Sequence, residues 1–308
     1  RTPWFVAALA MVGAAISGVT FISVPGSVAQ SGFSYLQMVA GFIIGNIVIV
    51  YVLIPMFYRL NVISLYQYLD DRFGTGSYAT GAWFFFISKM TGAALRAFLI
   101  CAVLQTLVFE PYGVPFMVNV ALMMALVWLY TRRGGVRSVI GTDLLKTFCL
   151  VGSVVLCIVF MMRELGIGLG EAFGQVAAHD YSRTLFLDDP HDGRFFWKQF
   201  VAGIFMAIAM TGLDQDMMQR TLSCRNPREA QKNLVISILL QAVVISMFLF
   251  LGVLFYIYLA GRGITHPSGA LFPMTDAAGA FAVADSDDVF AYVATQSGLP
   301  LVVGVLFV

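Results

Sequence analysis

Helix-breaking and hydroxyl residues interrupt an apolar segment near the start of the chain, and their types suit ion and solute binding. The stretch 13–26 reads GAAISGVTFISVPG and places Gly13, Ser17, Thr20 and Pro25 where a spanning helix carries Leu, Ile or Val. A helix broken inside a membrane leaves backbone groups that lipid cannot satisfy. Freed carbonyl oxygens suit Na⁺, and exposed half-helix ends suit a polar solute. Small residues also permit close helix packing, so these residues alone leave both interpretations open.

Three ionisable side chains lie inside apolar segments, where a charge costs at least ~2.5–3.5 kcal/mol at the membrane centre. Lys89 and Arg96 are seven residues apart and share one helix face. We expect Lys89 to snorkel towards the cytoplasm. We expect Arg96, whose bidentate fork suits a carboxylate, to approach the anionic group of a substrate. The alternatives for Arg96 are an ion pair with an acid on another helix and snorkelling outwards.

The third ionisable residue, Asp143, begins an apolar segment within VIGTDLLK. It can pair with Lys146 or lie at the favourable N-terminal end of a helix. Alternatively, its carboxylate and the neighbouring Thr142 hydroxyl are hard oxygen ligands on the cytoplasmic side of an ion path. The residues alone leave these interpretations balanced.

The composition indicates an integral membrane protein. The chain is 59% hydrophobic and 11% charged, with a mean hydropathy of +0.85, whereas soluble domains carry about a quarter charged residues. A formal net charge of +1 gives no reason to expect nucleic acid as a partner. The sequence has no nucleophile elbow, phosphate loop or zinc signature, so we do not expect an enzyme.

Apolar segments of spanning length recur along the chain and predict an all-α membrane protein of about seven spans plus the start of an eighth. They lie at 4–26, 35–58, 80–109, 116–131, 138–162, 195–216 and 234–259, with the eighth starting near Gly298. The sixth ends in IAMTGLDQDMMQR and is interrupted, like the first, before a polar cluster. Two interrupted helices at matching places in two halves are typical of an inverted-repeat transporter.

The distribution of Lys and Arg predicts the orientation in the membrane. Basic residues concentrate in alternate connections, which we expect to face the cytoplasm: Arg59, Arg72, Arg132, Arg133, Arg137, Arg220, Arg225, Arg228 and Lys232. The connections 163–194 and 260–297 are then extracellular. Because the chain begins at Arg1 and ends within an apolar run, we treat it as part of a longer protein.

Four local patterns, in order along the chain, resemble the sodium:solute symporter family. They are ISGVTFISVPG at 16–26, SLYQYLDDRFG at 64–74, TRRGGVRSVIGTDLLK at 131–146 and DQDMMQRTLSCRNPREAQK at 214–232. The resemblance implies a LeuT-type fold of inverted five-helix repeats whose first and sixth helices are broken. Residues 1–162 are then the first repeat, and residues 195–308 part of the second.

The resemblance also implies roles for particular residues. In the family's shared sodium site the first helix supplies backbone carbonyls, which map to Gly13 and Ile16, together with hydroxyls on the eighth core helix, which this sequence does not reach. The Thr-Asp pattern assigns Thr142 and Asp143 to a second sodium site or to the ion's exit path. Substrate contacts on the first two helices map to four side chains: Ser17, Thr20, Phe21 and Gln37.

The sequence departs from the sugar-transporting members of that family. Their polar side chains align here with Ala15, Val39 and Ala207, and Gln241 on the seventh helix is uncharged. Together with Arg96, this favours a carboxylate-bearing solute such as an amino acid, sialic acid or small organic acid.

The sequence thus predicts a multi-pass protein of the lipid bilayer of the plasma or inner membrane that couples Na⁺ entry to solute uptake. The alternatives are proton coupling through Asp143, sodium-coupled sugar transport, and a symporter-like sensor module of a membrane signalling protein.

Overall fold

The structure is a computed structural model that describes residues 3–60, 64–105, 109, 112–132, 135–224, 226–265, 272–275, 281–283 and 285–296. The predicted eighth segment near Gly298 lies outside these residues, as do Arg133 and Arg225. The described elements are predominantly helices. Their bounds are α1 Trp4–Ala15, α2 Gly18–Gly26, α3 Val28–Ser31, α4 Tyr35–Val48, α5 Ile54–Leu60, α6 Leu65–Phe73, α7 Thr75–Leu104, α8 Phe116–Thr131, α9 Gly135–Leu165, α10 Leu169–Ala178, α11 Phe196–Ala207, α12 Gln215–Leu222, α13 Pro227–Gly261 and α14 Asp288–Gln296.

Short irregular elements connect or extend these helices. The π-helical turns Ile49–Leu53 join α4 to α5, and the turns Ile208–Gly212 extend α11. A 3₁₀ turn spans Asp180–Ser182. The strands β1 (Met274–Thr275) and β2 (Phe281–Val283) pair antiparallel, with Met274 opposite Val283.

The first predicted span is broken, as the sequence indicated. α1 and α2 meet at a bend of 61°, and the two residues between them, Ile16 and Ser17, have extended backbones. Ser17 and Thr20 form a capping box in which each side-chain oxygen accepts the other residue's backbone N–H at 3.4 Å. The N–H that would continue the helix to the Gly13 carbonyl is therefore directed to Thr20 instead. The break follows from this capping and not from Pro25, which lies near the end of α2.

The second predicted interruption is also confirmed. α11 with its π-helical turns meets α12 at a bend of 67°. Asp214 caps the start of α12, because its Oδ1 accepts the N–H groups of Asp216 at 2.9 Å and Met217 at 3.2 Å. An aspartate at this position satisfies donors that a helix start leaves unpaired. The two breaks thus arise from local capping.

The other helices agree with the predicted spans. Within the described residues, four helices are long and apolar enough to cross a membrane, and six spans result if each bent pair counts as one. α8 is shorter, as its sequence indicated. Large apolar side chains on α7 and α8, such as Trp83 and Leu126, are exposed. A lipid-facing helix surface has this character.

The core is built around α13, which packs against α1, α2, α4 and α9. Its side chains Phe248, Leu251 and Phe255 are fully buried together with Phe21 of α2. α13 therefore packs against both halves of the first broken helix, α1 and α2.

Close backbone contact joins α4 to α11 through glycines. A Cβ on Gly203 would collide with the Met38 carbonyl and would lie 3.1 Å from the Gly41 Cα. A side chain on either glycine would force the helices apart. Small residues therefore serve close helix packing at the crossing of α4 and α11.

We expect Gly203→Ala to destabilise the protein by about 1–3 kcal/mol, because the added methyl meets backbone that cannot move aside. Gly152→Ala is the matched control in another apolar helix, since its Cβ would have no heavy atom within 4 Å. We expect it to be neutral or stabilising by up to about 1 kcal/mol, because alanine favours a helix. Thermal unfolding of both variants in detergent tests this. Equal stability of the two variants would contradict the packing described here.

Candidate functional site

Both helix breaks open onto one large cavity of about 1190 Å³. Its lining comes from the end of α1, the start of α2, α4, α7, α8, the end of α11 with the break before α12, the start of α12, and α13. The lining is mostly apolar, and its polar members are Ser17, Thr20, Tyr35, Asn46, Lys89, Arg96, Thr211, Asp214, Asp216, Ser237 and Gln241. An apolar cavity with a few convergent polar groups at two broken helices is the usual form of a solute site in a membrane transporter.

Arg96 lies on the cavity wall as a cation that forms no ion pair among the described residues, with the Asp216 carboxylate farther away on the same cavity wall. Its Nε donates to the Gly92 carbonyl one turn earlier at 3.0 Å. Among the described residues, no carboxylate lies within 4.0 Å of its guanidinium nitrogens. The alternative of an ion pair with another helix is therefore not seen in the described part of the chain. The remaining N–H groups of its guanidinium are available to an anion in the cavity.

Lys89, in contrast, is paired. Its Nζ lies 2.6 Å from Asp214 Oδ2, which links α7 to the start of α12. The snorkelling expected from the sequence is wrong for this residue, because a carboxylate from a distant segment neutralises it within the bundle. Because Lys89 is paired with Asp214, Arg96 is the cavity-lining cation whose guanidinium can meet an anionic solute.

Asp143 is held by Arg220 of α12 and not by Lys146. Arg220 Nη1 contacts Asp143 Oδ2, and the two side chains are only 11% and 14% exposed. Arg220 also contacts the Asp216 carboxylate at 3.2 Å. α9 begins at Gly135, so Asp143 is not at a helix N-terminus either. Both local explanations for this aspartate therefore fail, and its carboxylate lies between α9 and α12.

Gly13 permits α1 to approach α9 beside that aspartate. A Cβ there would collide with Thr147 Oγ1 and the Asp143 carbonyl oxygen. The Thr147 hydroxyl lies 2.7 Å from the Leu9 carbonyl oxygen, so it can donate to α1. The carbonyls from Gly13 to Ala15 at the end of α1, and that of Ile16 just after it, have no later N–H group of α1 to accept. Ile16 lines the cavity, and Gly13 of the same stretch packs on α9 beside Asp143. The freed carbonyls and the Asp143 region therefore lie on neighbouring helices.

The predicted solute contacts separate into two groups. Ser17 and Thr20 line the cavity. Phe21 does not. It is fully buried and packs edge-to-face on Phe248 and Phe290 with ring centroids 5.1 and 5.2 Å apart. The reason is helical geometry, since a residue adjacent to Thr20 points about 100° away from it around α2.

Gln37 also lies away from the cavity, and its amide holds a loop. Its Nε2 donates to the Arg194 carbonyl at 2.8 Å, and its Oε1 accepts the Phe186 N–H at 3.2 Å. The side chain is 2% exposed. These contacts attach the segment before α11 to α4, and we do not retain Gln37 or Phe21 as solute contacts.

We expect Gln37→Ala to destabilise the protein by about 1–3 kcal/mol, because it leaves buried backbone groups without partners. Gln175→Ala is the control, since the contact of that amide within the described part of the chain is an exposed hydrogen bond to Glu171 at 3.4 Å. We expect that change to stay within about 0.5 kcal/mol. Thermal unfolding measures both. A raised KM for solute with unchanged stability would show instead that Gln37 contacts the solute.

Several cavity residues were not singled out from the sequence. Asn46 lines the cavity within the otherwise apolar α4, and its Nδ2 donates to the Phe42 carbonyl at 2.8 Å. A lone amide inside a spanning segment was the available signal. Asp214 and Asp216 were visible only as a polar cluster after a helix break. Asp214 pairs with Lys89 from a segment far away in sequence, and Asp216 pairs with Arg220 one turn later on the same helix.

The family profile identifies the chain. The profile of the Sodium:solute symporter family matches residues 1–306, so the chain belongs to that family. Members of this family are multi-pass membrane proteins.

Similar proteins are transporters by name and not enzymes. The sodium-dependent multivitamin transporter of Oryctolagus cuniculus is 26% identical over 259 residues, which cover 82% of this chain and 39% of that protein. The sodium/sialic acid symporter SiaT of Proteus mirabilis is 24% identical over 280 residues, 87% of this chain and 54% of that protein. The sodium-coupled monocarboxylate transporter 1 of Homo sapiens is 25% identical over 256 residues, 81% of this chain and 40% of that protein.

A solved structure establishes the fold. The substrate-bound outward-open state of a Na⁺-coupled sialic acid symporter superposes with a TM-score of 0.82 at 21% identity, covering 100% of this chain and 61% of that chain. The predicted all-α, LeuT-type architecture is thereby confirmed. The chain spans between 39% and 61% of the lengths of these relatives.

Proposed function

We propose that the protein of which this chain is a part couples Na⁺ entry to the uptake of a small carboxylate-bearing solute. The observation that carries this proposal is Arg96, a cation without a described carboxylate partner on the wall of a cavity between two broken helices. An arginine in such a site costs free energy unless an anion meets it, and a bound carboxylate supplies that anion.

The cavity surface supports an acid over a sugar. Ala15 and Ala207 line it, where sugar-transporting relatives were inferred to carry polar groups, and Val39 is buried outside it. Many hydroxyls of a hexose would then lack partners, which is unfavourable in a closed site. The hydroxyls of Ser17 and Thr20 suit the polar remainder of an acidic solute. Two of the similar proteins are named for a sialic acid and for monocarboxylates.

Na⁺ is a co-transported substrate in this proposal. The carbonyl oxygens of Gly13 and Ile16 are hard ligands left by the end of α1, and Thr142 and Asp143 add oxygen ligands on α9. The close α1–α9 approach at Gly13 supports a link between these two groups. Sodium would thus fix the broken helix against its neighbour before the solute binds.

Transport then proceeds by alternating access around a fixed site. Ion and solute enter the cavity from outside, where we place the connections 163–194 and 260–297, and rocking of the helix bundle opens the cavity to the cytoplasm. We place the protein in the plasma or inner membrane. Proton coupling and a sensor role in a signalling protein are the competing functions.

Uptake by the full-length protein in proteoliposomes tests this function. Labelled amino acids, sialic acid, small carboxylates and sugars are offered with and without an inward Na⁺ gradient. Accumulation of one carboxylate solute only with Na⁺ is the expected result. Na⁺-driven uptake of a neutral sugar would contradict the solute class. Uptake driven by a proton gradient alone would contradict the sodium site, and binding without uptake would favour a sensor.

A further inference from the structure

Asp143, proposed above as a Na⁺ ligand, is already in contact with a cation that belongs to the chain. Arg220 Nη1 contacts its Oδ2, and both side chains are largely buried. Na⁺ and a guanidinium group carry the same charge and bind the same carboxylate oxygens. Because like charges repel at such distances, they compete for this oxygen.

Arg220 has a second carboxylate within reach on its own helix. Its Nε and Nη2 lie 3.2 to 3.4 Å from the oxygens of Asp216, one turn earlier on α12. The Asp216 side chain is 47% exposed and lines the cavity. A pair at this spacing forms on the helix surface without any movement of the backbone. The guanidinium can therefore leave Asp143 and remain paired.

We infer that Arg220 occupies the Asp143 carboxylate in place of Na⁺ and moves fully to Asp216 when the ion binds. This inference rests on the proposed function, because it assigns Asp143 to the ion path. Arg220 is a positioning residue in this scheme. It contacts neither solute nor ion and acts through the carboxylate that the ion uses.

The exchange links ion binding to the second broken helix. Among the described residues, two ion pairs connect α12 to other helices: Lys89–Asp214 to α7, and Arg220–Asp143 to α9. Release of Arg220 from Asp143 removes one of them. Na⁺ binding therefore removes the ion pair between α12 and α9, while the Lys89 pair still holds the start of α12 beside the cavity.

Equilibrium binding of radioactive Na⁺ to the purified full-length protein in detergent tests this exchange. If Arg220 occupies Asp143 about nine-tenths of the time, Arg220→Gln lowers the Kd for Na⁺ about tenfold, because the competing state is removed. Asp216→Asn changes the Kd in the opposite direction, since Arg220 then has Asp143 as its remaining carboxylate. Arg228→Gln is the matched control, because it removes the same charge from an exposed position on α13 and should leave the Kd unchanged.

The Kd for Na⁺ is expected to fall in Arg220→Gln and to rise in Asp216→Asn, and these opposite directions separate the exchange from a purely structural ion pair. A structural pair predicts that the Kd rises in both variants or stays unchanged in both. A Kd that is unchanged or raised in Arg220→Gln overturns the inference, as does a Kd that is unchanged or lowered in Asp216→Asn. If Arg220→Gln does not fold, the conservative Asp216→Asn carries the test alone. A wild-type protein that binds no Na⁺ overturns the proposed sodium coupling itself, which is a distinct result.

Discussion

Replacement of Arg96 by glutamine is expected to lower Na⁺-driven uptake of the carboxylate solute by about a hundredfold or more, because truncating one partner of a desolvated charge pair costs 2–5 kcal/mol. The guanidinium has no carboxylate partner among the described residues, so its loss removes an interaction with the solute and leaves no protein charge unpaired. We expect Arg96→Lys to retain part of the activity, since the charge remains but the bidentate fork is lost. Uptake in proteoliposomes measures both variants.

The control for this experiment is Arg163→Gln, which removes an exposed arginine at the last turn of α9. Its uptake should equal that of the wild type. Na⁺ binding without solute should be unchanged in Arg96→Gln, because the proposed function assigns Arg96 to the solute and not to the ion. Loss of Na⁺ binding together with uptake would indicate that Arg96 supports the fold, and unchanged carboxylate uptake would contradict its proposed role.

Replacement of Asp143 by asparagine is expected to raise the Na⁺ concentration for half-maximal uptake by at least about tenfold, equivalent to ~1.4 kcal/mol. The amide keeps the size of the side chain and an acceptor for Arg220, but it removes the charge that a Na⁺ ligand supplies. The buried position of Asp143 makes this charge more effective than one at the surface. Uptake as a function of Na⁺ concentration gives the measurement.

Asp70→Asn, on the exposed surface of α6, serves as the charge-matched control and should leave the Na⁺ dependence unchanged. A change in the maximal rate of Asp143→Asn without any change in its Na⁺ dependence would place the aspartate outside the ion path. A shift of the pH dependence in place of the Na⁺ dependence would favour proton coupling through this residue.

The positions of the helix breaks could be predicted because their causes are local. Ser17 and Asp214 each cap a helix through backbone groups two or three residues away, so the relevant interactions lie within a short stretch of sequence. The spans could be predicted for a similar reason, since length and apolar composition decide whether a helix can cross a membrane. Arg96 was identified because a charge in such a segment requires an explanation.

The roles of neighbouring residues could not be predicted in the same way. Phe21 follows Thr20 directly and points about 100° away from it around α2, and the packing of α13 on α2 decided which of these two directions faces the core. Gln37 lies in an apolar segment like a solute contact, but its partners are backbone groups about 150 residues further along the chain. Such pairings depend on how distant helices cross.

The sequence by itself determined the class of protein, the two broken helices and the cavity arginine, because composition, capping and the cost of a buried charge act locally. The tertiary structure alone decided the two ion pairs between distant segments: Lys89 with Asp214, and Arg220 with Asp143. The physical reason is that ion pairs form between side chains that packing brings within about 4 Å, whatever their separation in the sequence.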